Sequence, residues 1–194
     1  MKNNSINYLL FFSLAFYGIY LAYIGGYGSD EDTLPLIGAY ESMMSGGKLM
    51  ASRFTPYPVA ELGIGFLSYN FGSAVTNIIT FSFIIFGVII FYFAIIDKYK
   101  KSEIFLFLIL CLSNPILYFE NLEPMDYSWA FLPLALGAFA LKKNYFELAI
   151  ILFGISIGTR IYFLVFVFII VLFFNYKKEI STNRKLLFFI LSWF

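Results

Sequence analysis

The residues of this sequence that could carry out acid–base chemistry are two clusters of carboxylates. They are Asp30, Glu31 and Asp32 in the stretch GYGSDEDTLP, and Glu120, Glu123 and Asp126 in the stretch ENLEPMD. The chain contains no histidine and a single cysteine, Cys111, which lies inside an apolar block. Histidine is the commonest general base and a common zinc ligand in proteins. Any acid–base or metal chemistry must therefore use carboxylates, and a bound metal would be a hard cation such as Mg²⁺ or Mn²⁺.

The composition places these carboxylates in a membrane protein. The chain has 194 residues, of which 61% are hydrophobic and 13% are charged, whereas soluble domains contain about 25% charged residues. The apolar residues also occur in long blocks instead of short periodic stripes. These features predict an integral membrane protein with several spans. The net charge of +1 gives no reason to expect a nucleic-acid partner.

The apolar blocks predict an all-α, polytopic bundle of about six to seven spans. The predicted spans are Tyr8–Gly25, Ala74–Ile96, Ile104–Phe119, Tyr127–Leu141, two within Tyr145–Phe174, and one that begins at Leu186. The last block stops at Phe194 after nine residues, which cover less than half of a hydrocarbon core about 30 Å thick. We therefore expect the chain to be the N-terminal part of a longer membrane domain, truncated at its C-terminus.

The basic residues predict the orientation of the spans. With a cytoplasmic N-terminus, and with 145–174 forming two spans that meet at Arg160, ten of the thirteen basic residues lie inside. The outer side then holds only Lys48, Arg53 and Arg160. This distribution agrees with the positive-inside rule, so we predict a multi-pass protein of the cell (inner) membrane. Both carboxylate clusters then lie on the extracytoplasmic face, where they serve either chemistry or simple loop solvation.

The first outer loop, residues 26–73, is far longer than a connection requires, and its pattern predicts two short helices lying at the membrane interface. Apolar residues recur at helical spacing before Gly46-Gly47, and again after Pro56-Tyr57-Pro58, where proline suits a helix start. The first set is Leu36, Ile37, Tyr40, Met43 and Met44, and the second is Val59, Leu62, Phe66 and Leu67. The alternative is loop residues packed on the bundle.

Arg160, in the turn Gly158-Thr159-Arg160, is an ionisable residue at the boundary of two predicted spans. A charge at such a depth indicates a functional site, because it is costly to insert into a membrane. The alternative is a side chain that extends to the lipid headgroups.

Three stretches together resemble the polytopic GT-C glycosyltransferases, of the protein O-mannosyltransferase and lipid A aminoarabinose transferase type. SDEDTLPLIGAYESMMSGGK resembles the Asp/Glu motif of that family with its following helix and glycine stop. NPILYFENLEPMDYSWAFLPLALGAFAL resembles its third span, second outer loop and fourth span, and FGISIGTRIYFLV its arginine-terminated turn. The usual aromatic residue after the Asp-Glu pair is absent, since Leu34-Pro35 stand there. The Asp-Glu order matches Asp30 to the family aspartate, whereas counting back from Gly46 matches Asp32.

The resemblance implies transfer of a sugar from a polyprenyl-phosphate donor to a glycan, lipid or protein acceptor on the extracytoplasmic face. Such a reaction needs a base for the acceptor hydroxyl and cations for the departing phosphate. We expect the catalytic carboxylates to be Asp30, Glu31, Asp32 and Asp126, with a divalent metal on Asp32 and Asp126. The expected substrate-binding residues are Arg160, Arg53, Lys48, Glu120 and Glu123.

Three alternatives to this function stand beside it. Helix breaks at Asn114-Pro115 and at 154–160 are also typical of transporters, which place charges near the bilayer midplane. A polysaccharide polymerase or ligase also uses lipid-linked sugars, although its large outer loop comes late in the chain. The third alternative is that the chain is inactive by itself.

Overall fold

A computed structural model describes residues 2–28, 33–46, 58–96 and 101–176, and this part of the chain is all-helical, without strands. Its helices are α1 Lys2–Ile24, α2 Thr33–Met44, α3 Pro58–Ile95, α4 Lys101–Leu112, α5 Pro115–Phe119, α6 Asp126–Lys142, α7 Phe146–Thr159 and α8 Phe163–Tyr176. The predicted span that begins at Leu186 lies outside the described residues.

Two of these helices are long and apolar enough to cross a membrane, Ser5–Ile24 and Pro58–Ile95. Twenty helical residues span about 30 Å, the thickness of a hydrocarbon core. Large apolar side chains also cover the surface of the described part, for example Leu9 at 69% exposure and Phe16 at 68%. Length, composition and surface together indicate association with a membrane. The predicted total of six to seven spans remains a prediction.

The two helices expected in the first outer loop are present as helices. The first is α2, which ends before Gly46 at φ +85°, and the second is the N-terminal part of α3. This part is set off from the rest of α3 at Gly72, whose φ of 77° and ψ of 179° interrupt the helix. Such a conformation favours glycine because the residue has no Cβ.

The N-terminal part of α3 leaves exposed the apolar side chains that the sequence placed at the membrane interface, and it packs by another face. Leu62 and Phe66 are 40% and 47% exposed, whereas Ala60, Ile64 and Gly65 are buried. Small residues form the packed face because they allow the backbones of α2 and α3 to approach closely. Leu62 and Phe66 then point away from the described part of the protein.

The predicted third span, Ile104–Phe119, is broken into α4 and α5 by Ser113-Asn114. Proline disfavours the α conformation of the residue before it and suits the first position of a helix. The Oδ1 atom of Asn114 accepts a hydrogen bond from the backbone N–H of Ile116 at 3.1 Å and so caps α5. The block 145–174 forms two helices, as predicted, and they are separated at Arg160, whose backbone is extended.

Helix α6 is the centre of the packing, with α3, α7 and α8 against it. Glycines permit these close approaches: a Cβ on Gly87 would lie 2.7 Å from the Phe131 ring, and one on Gly63 would lie 2.5 Å from the Trp129 ring. Hydrogen bonds between helices add to this packing. Trp129 Nε1 donates to Thr80 Oγ1 at 3.0 Å, and Ser156 Oγ donates to the carbonyl of Ala130 at 2.8 Å.

Polar side chains satisfy carbonyls at two helix ends, where backbone groups lack partners within the helix. At the end of α1, the Asn77 amide donates to the carbonyls of Ala22 and Gly26. At the end of α3, Lys142 Nζ donates to the carbonyls of Phe93 at 2.9 Å and Ile96 at 2.8 Å. These bonds fix the ends of α1 and α3 to neighbouring helices.

Gly65→Ala is expected to destabilise the folded protein by about 1–3 kcal/mol, because the new methyl group overpacks the α2–α3 contact. A Cβ at this position would lie 2.2 Å from Tyr40 Cβ, an atom that no side-chain rotation can move away. Thermal unfolding in detergent measures the effect. Gly154→Ala is the matched control, since a Cβ there meets no heavy atom within 4 Å and alanine favours helix by up to about 1 kcal/mol. Equal effects of the two changes would contradict the packing argument.

Candidate functional site

Asp126 occupies the first turn of α6, at the end of the short loop between α5 and α6. Backbone hydrogen bonds from Leu122 N–H to the Phe119 carbonyl at 3.0 Å and from Met125 N–H to the Glu123 carbonyl at 2.8 Å shape the loop. A carboxylate is favoured at a helix N-terminus by the helix dipole. The Asp126 side chain is completely buried, so the surrounding protein replaces the water that would otherwise solvate it.

The structure brings Arg160 to Asp126. Arg160 Nη1 lies 3.1 Å from Asp126 Oδ1, and the two side chains are 11% and 0% exposed, respectively. The pair joins the turn between α7 and α8 to the start of α6. Charges removed from water to this extent must be compensated, because desolvation of an isolated ion costs several kcal/mol. Two residues predicted separately as site residues therefore form one buried ion pair.

Tyr127 is the third member of this group. The guanidinium carbon of Arg160 lies 3.6 Å from the centroid of the Tyr127 ring, the position of a stacked cation–π contact. The Nε atom of Arg160 is buried and has no hydrogen-bond acceptor among the described residues. A buried donor without an acceptor costs about 1–3 kcal/mol. The guanidinium of Arg160 therefore contacts Tyr127 with one face and Asp126 with Nη1, and its Nε is a buried donor without an acceptor among the described residues.

The described residues on either side of the acidic stretch both contact the loop that carries Asp126. The carboxylate of Glu123 packs directly on Gly28, where a Cβ would lie 1.9 Å from Glu123 Cδ. Thr33 Oγ1 donates to Met125 Sδ at 3.7 Å within the buried interior. Asp30, Glu31 and Asp32 themselves lie outside the described residues. Gly28 and Thr33 are therefore anchored next to the start of α6.

A cavity of about 530 Å³ adjoins this group, with Tyr127 in its wall. Its polar lining comes from Asn114, Glu120 and Asn121, and its apolar lining from Ile84, Ile116, Phe131 and Phe163. A second, apolar cavity of about 290 Å³ between α3, α6 and α8 shares Phe131 and Phe163 with the first. The volume of the first cavity is within the range of about 300–1,000 Å³ of small-molecule sites. The first cavity is thus lined by polar and apolar side chains, and the second by apolar side chains alone.

The remaining predicted site residues fall into two groups. Glu120 is exposed and lines the larger cavity, and Glu123 packs on Gly28. Lys48 and Arg53 lie outside the described residues. Within the described part of the chain, no three His, Cys, Asp or Glu residues are grouped so as to hold a metal ion. The guanidinium 3.1 Å from Asp126 Oδ1 also disfavours a cation at that carboxylate, because like charges would repel.

Sequence reasoning missed two further residues. Tyr127 supports Arg160 and lines the cavity, but its position next to Asp126 was the only signal. Glu61 is 1% exposed on the packed face of α3. The feature of the sequence that could have indicated its burial is its position among the small residues of VAELGIG. Small residues allow two helices to pack closely, and a carboxylate between them then becomes buried.

Comparisons of the chain with protein-family models, with curated proteins and with solved structures found no match.

Proposed function

We propose that the chain is part of a multi-pass membrane glycosyltransferase that moves a sugar from a polyprenyl-phosphate donor to an extracytoplasmic acceptor. The observation that carries the proposal is the convergence on the second outer loop. Gly28 and Thr33, which flank the acidic stretch, contact Glu123 and Met125 in this loop. Asp126, at the end of the same loop, forms an ion pair with Arg160. The described residues next to the candidate carboxylates and the residue that pairs with the candidate phosphate-binding arginine therefore belong to, or contact, one loop.

The reaction assigns a role to each charged group. The acceptor hydroxyl oxygen attacks the anomeric carbon, the bond from that carbon to the phosphate oxygen breaks, and the phosphate leaves with the electron pair. Asp30 or Asp32 takes the proton of the hydroxyl. Arg160, with Lys48 and Arg53 as further candidates, binds the phosphate, because guanidinium groups make directed contacts to phosphate oxygens. No step is assigned to a metal.

Transfer is tested in membranes from cells that express the gene, supplied with a polyprenyl-phosphate donor whose sugar is radiolabelled. The proposal expects label to move to a glycan, lipid or protein fraction and free polyprenyl phosphate to accumulate. Both changes must exceed those in membranes that lack the protein. If the full-length protein binds the donor but transfers no sugar, the enzymatic assignment is overturned.

The orientation is tested by cysteine labelling in a Cys111→Ala background. Ser45→Cys lies after α2 on the proposed outer side, and Glu147→Cys lies in the first turn of α7 on the proposed inner side; both positions are exposed. A membrane-impermeant maleimide added to intact cells should label Ser45→Cys and leave Glu147→Cys unlabelled until the membrane is opened. Labelling of both positions in intact cells would refute the orientation.

A transport function is the second candidate, because the break between α4 and α5 lines the larger cavity through Asn114 and Ile116. Interrupted helices beside a cavity are typical of transporter binding sites. Uptake of a labelled sugar without its covalent transfer would favour this candidate.

A further inference from the structure

The larger cavity, with its volume of about 530 Å³, combines exposed and buried lining residues. The exposed ones are Asn114, Ile116, Glu120 and Tyr127, and the buried ones are Ile84, Asn121 and Phe163. Exposed lining residues give a ligand access from the surface, and buried ones enclose it once it is bound. The cavity therefore has both an entrance and an enclosed floor.

The hydrogen-bonding groups of this lining suit hydroxyl groups. Asn114 and Asn121 bring amides, which contain donors and an acceptor, and Glu120 brings a carboxylate, which accepts. The amide of Asn114 is held in place, since its Oδ1 accepts a hydrogen bond from the backbone N–H of Ile116 at 3.1 Å. A hydroxyl both donates and accepts, so it can bond to either kind of group. An alkyl chain in the same cavity would remove water from these groups without forming hydrogen bonds in exchange.

Three aromatic rings also line the cavity, those of Tyr127, Phe131 and Phe163. The face of an aromatic ring carries partial negative charge and attracts weakly positive C–H groups. One face of the Tyr127 ring is stacked on the Arg160 guanidinium, 3.6 Å from the ring centroid. Because Arg160 is not among the lining residues, the ring presents another part of its surface to the cavity. A sugar matches such a lining, since a pyranose has C–H groups on its faces and hydroxyls around its edge.

The lining disfavours a ligand with negative charge. Its charged side chain is the carboxylate of Glu120, and none of the described residues that line the cavity is a lysine or an arginine. A phosphate group in the cavity would be repelled by this carboxylate, and no cation among these lining residues would compensate. The chemistry of the cavity therefore favours a sugar unit without negative charge.

We propose that the larger cavity binds a sugar unit without negative charge, and that this unit carries the acceptor hydroxyl of the transfer reaction. The role as acceptor rests on the proposed function, and it favours a glycan or glycolipid over a protein as the acceptor. Glu120 and Asn121 lie in the loop between α5 and α6. Gly28 and Thr33, on either side of the acidic stretch, contact the same loop, so the cavity adjoins the proposed source of the base.

Saturation-transfer NMR on the full chain in phosphatidylcholine nanodiscs tests the binding, with the methyl glycosides of glucose, galactose and mannose as probes. Each glycoside is compared with its own 6-phosphate. At least one glycoside should bind, with a Kd at least about fivefold lower than that of its phosphate, the effect of one like charge about 4 Å away in water. Glu120→Gln should remove most of this difference, whereas a steric cause would leave it unchanged. Glu147→Gln, which removes an exposed carboxylate that lines neither cavity, should preserve it.

A second variant, Ile116→Trp, tests whether the sugar occupies this cavity. Ile116 lines the cavity and is 75% exposed, so the larger side chain should fill part of the cavity without disturbing the core. Binding of the glycoside should weaken by about tenfold or more, since added volume in an occupied site causes overpacking. Ile151→Trp is the matched control, because Ile151 is 60% exposed and lines neither cavity; it should bind the glycoside as the wild type does.

Four results would overturn the inference: no binding of any glycoside, 6-phosphates that bind as tightly as the glycosides, a charge preference that survives Glu120→Gln, or unchanged binding in Ile116→Trp. Transfer from the labelled donor tests the proposed function separately. Transfer without glycoside binding would reject the sugar cavity alone. Glycoside binding without transfer would reject the transferase and, with it, the role of the bound sugar as acceptor.

Discussion

Arg160→Gln should destabilise the folded protein by about 3–5 kcal/mol, the usual cost of removing one partner of a buried ion pair. The change removes the guanidinium that lies 3.1 Å from Asp126 Oδ1 while leaving a carboxylate that is 0% exposed. It also removes the cation stacked on Tyr127. Unfolding of the protein in mild detergent by increasing SDS, followed by circular dichroism, measures the loss. Asp126→Asn should show a loss of similar size.

The double variant Asp126→Asn/Arg160→Gln identifies the ion pair as the cause. It leaves no buried charge at either position, so it should be more stable than Arg160→Gln alone, and the two single losses should not add. Lys143→Gln is the control, because it removes an exposed cation that lies 5.6 Å from the Phe139 ring. Surface substitutions of this type change the free energy of unfolding by no more than about 0.5 kcal/mol. Additive losses would mean that the two charges do not stabilise each other.

The helix boundaries followed from residues that act locally. Gly46, Asn114-Pro115 and the Gly158-Thr159-Arg160 turn all interrupt helices in the structure where the sequence predicts an interruption. Proline and glycine restrict or free the backbone by their own covalent geometry, so their effect needs no knowledge of the rest of the fold. The presence of helices in the described parts of residues 26–73 was therefore predictable.

The packing faces were not predictable in the same way. An apolar pattern identifies a buried face only where water is the alternative, and a helix that meets lipid exposes its large apolar residues instead. Phe66 is 47% exposed, and Gly65 beside it is buried against Tyr40. Hydrophobic periodicity thus identified the exposed apolar side of the N-terminal part of α3, and it gave no indication of the face that packs against α2.

The candidate site was predictable as separate residues and unpredictable as a group. Asp126 and Arg160 were selected because each charge is costly at the boundary of an apolar block. Their contact joins positions 34 residues apart in the sequence, and it depends on how α6 and α7 pack. Tyr127 carries no charge, so its role emerges only from its stacking on Arg160.

Asp30→Asn and Asp32→Asn give the largest effect expected on activity. Whichever of the two substitutions removes the catalytic base should lower the rate of sugar transfer by about 10²–10⁴-fold, which is the contribution of a positioned general base. The amide keeps the size of the side chain but cannot accept the proton of the acceptor hydroxyl. Transfer from the labelled donor, normalised to the amount of protein in the membrane, measures the loss. The same comparison decides between the two aspartates, since the residue that takes the proton should show the larger defect.

Membrane insertion must remain normal in these variants, because acidic residues contribute little to topology. Glu103→Gln is the matched control: it removes a carboxylate from the first turn of α4, on the proposed inner side, and transfer should persist. Normal transfer by both aspartate variants would exclude the acidic stretch as the source of the base. In that case the contacts of Gly28 with Glu123 and of Thr33 with Met125 would serve only to fasten α1 and α2 to the loop between α5 and α6. A base would then have to come from Glu120, which lines the larger cavity, because Asp126 is already engaged with Arg160.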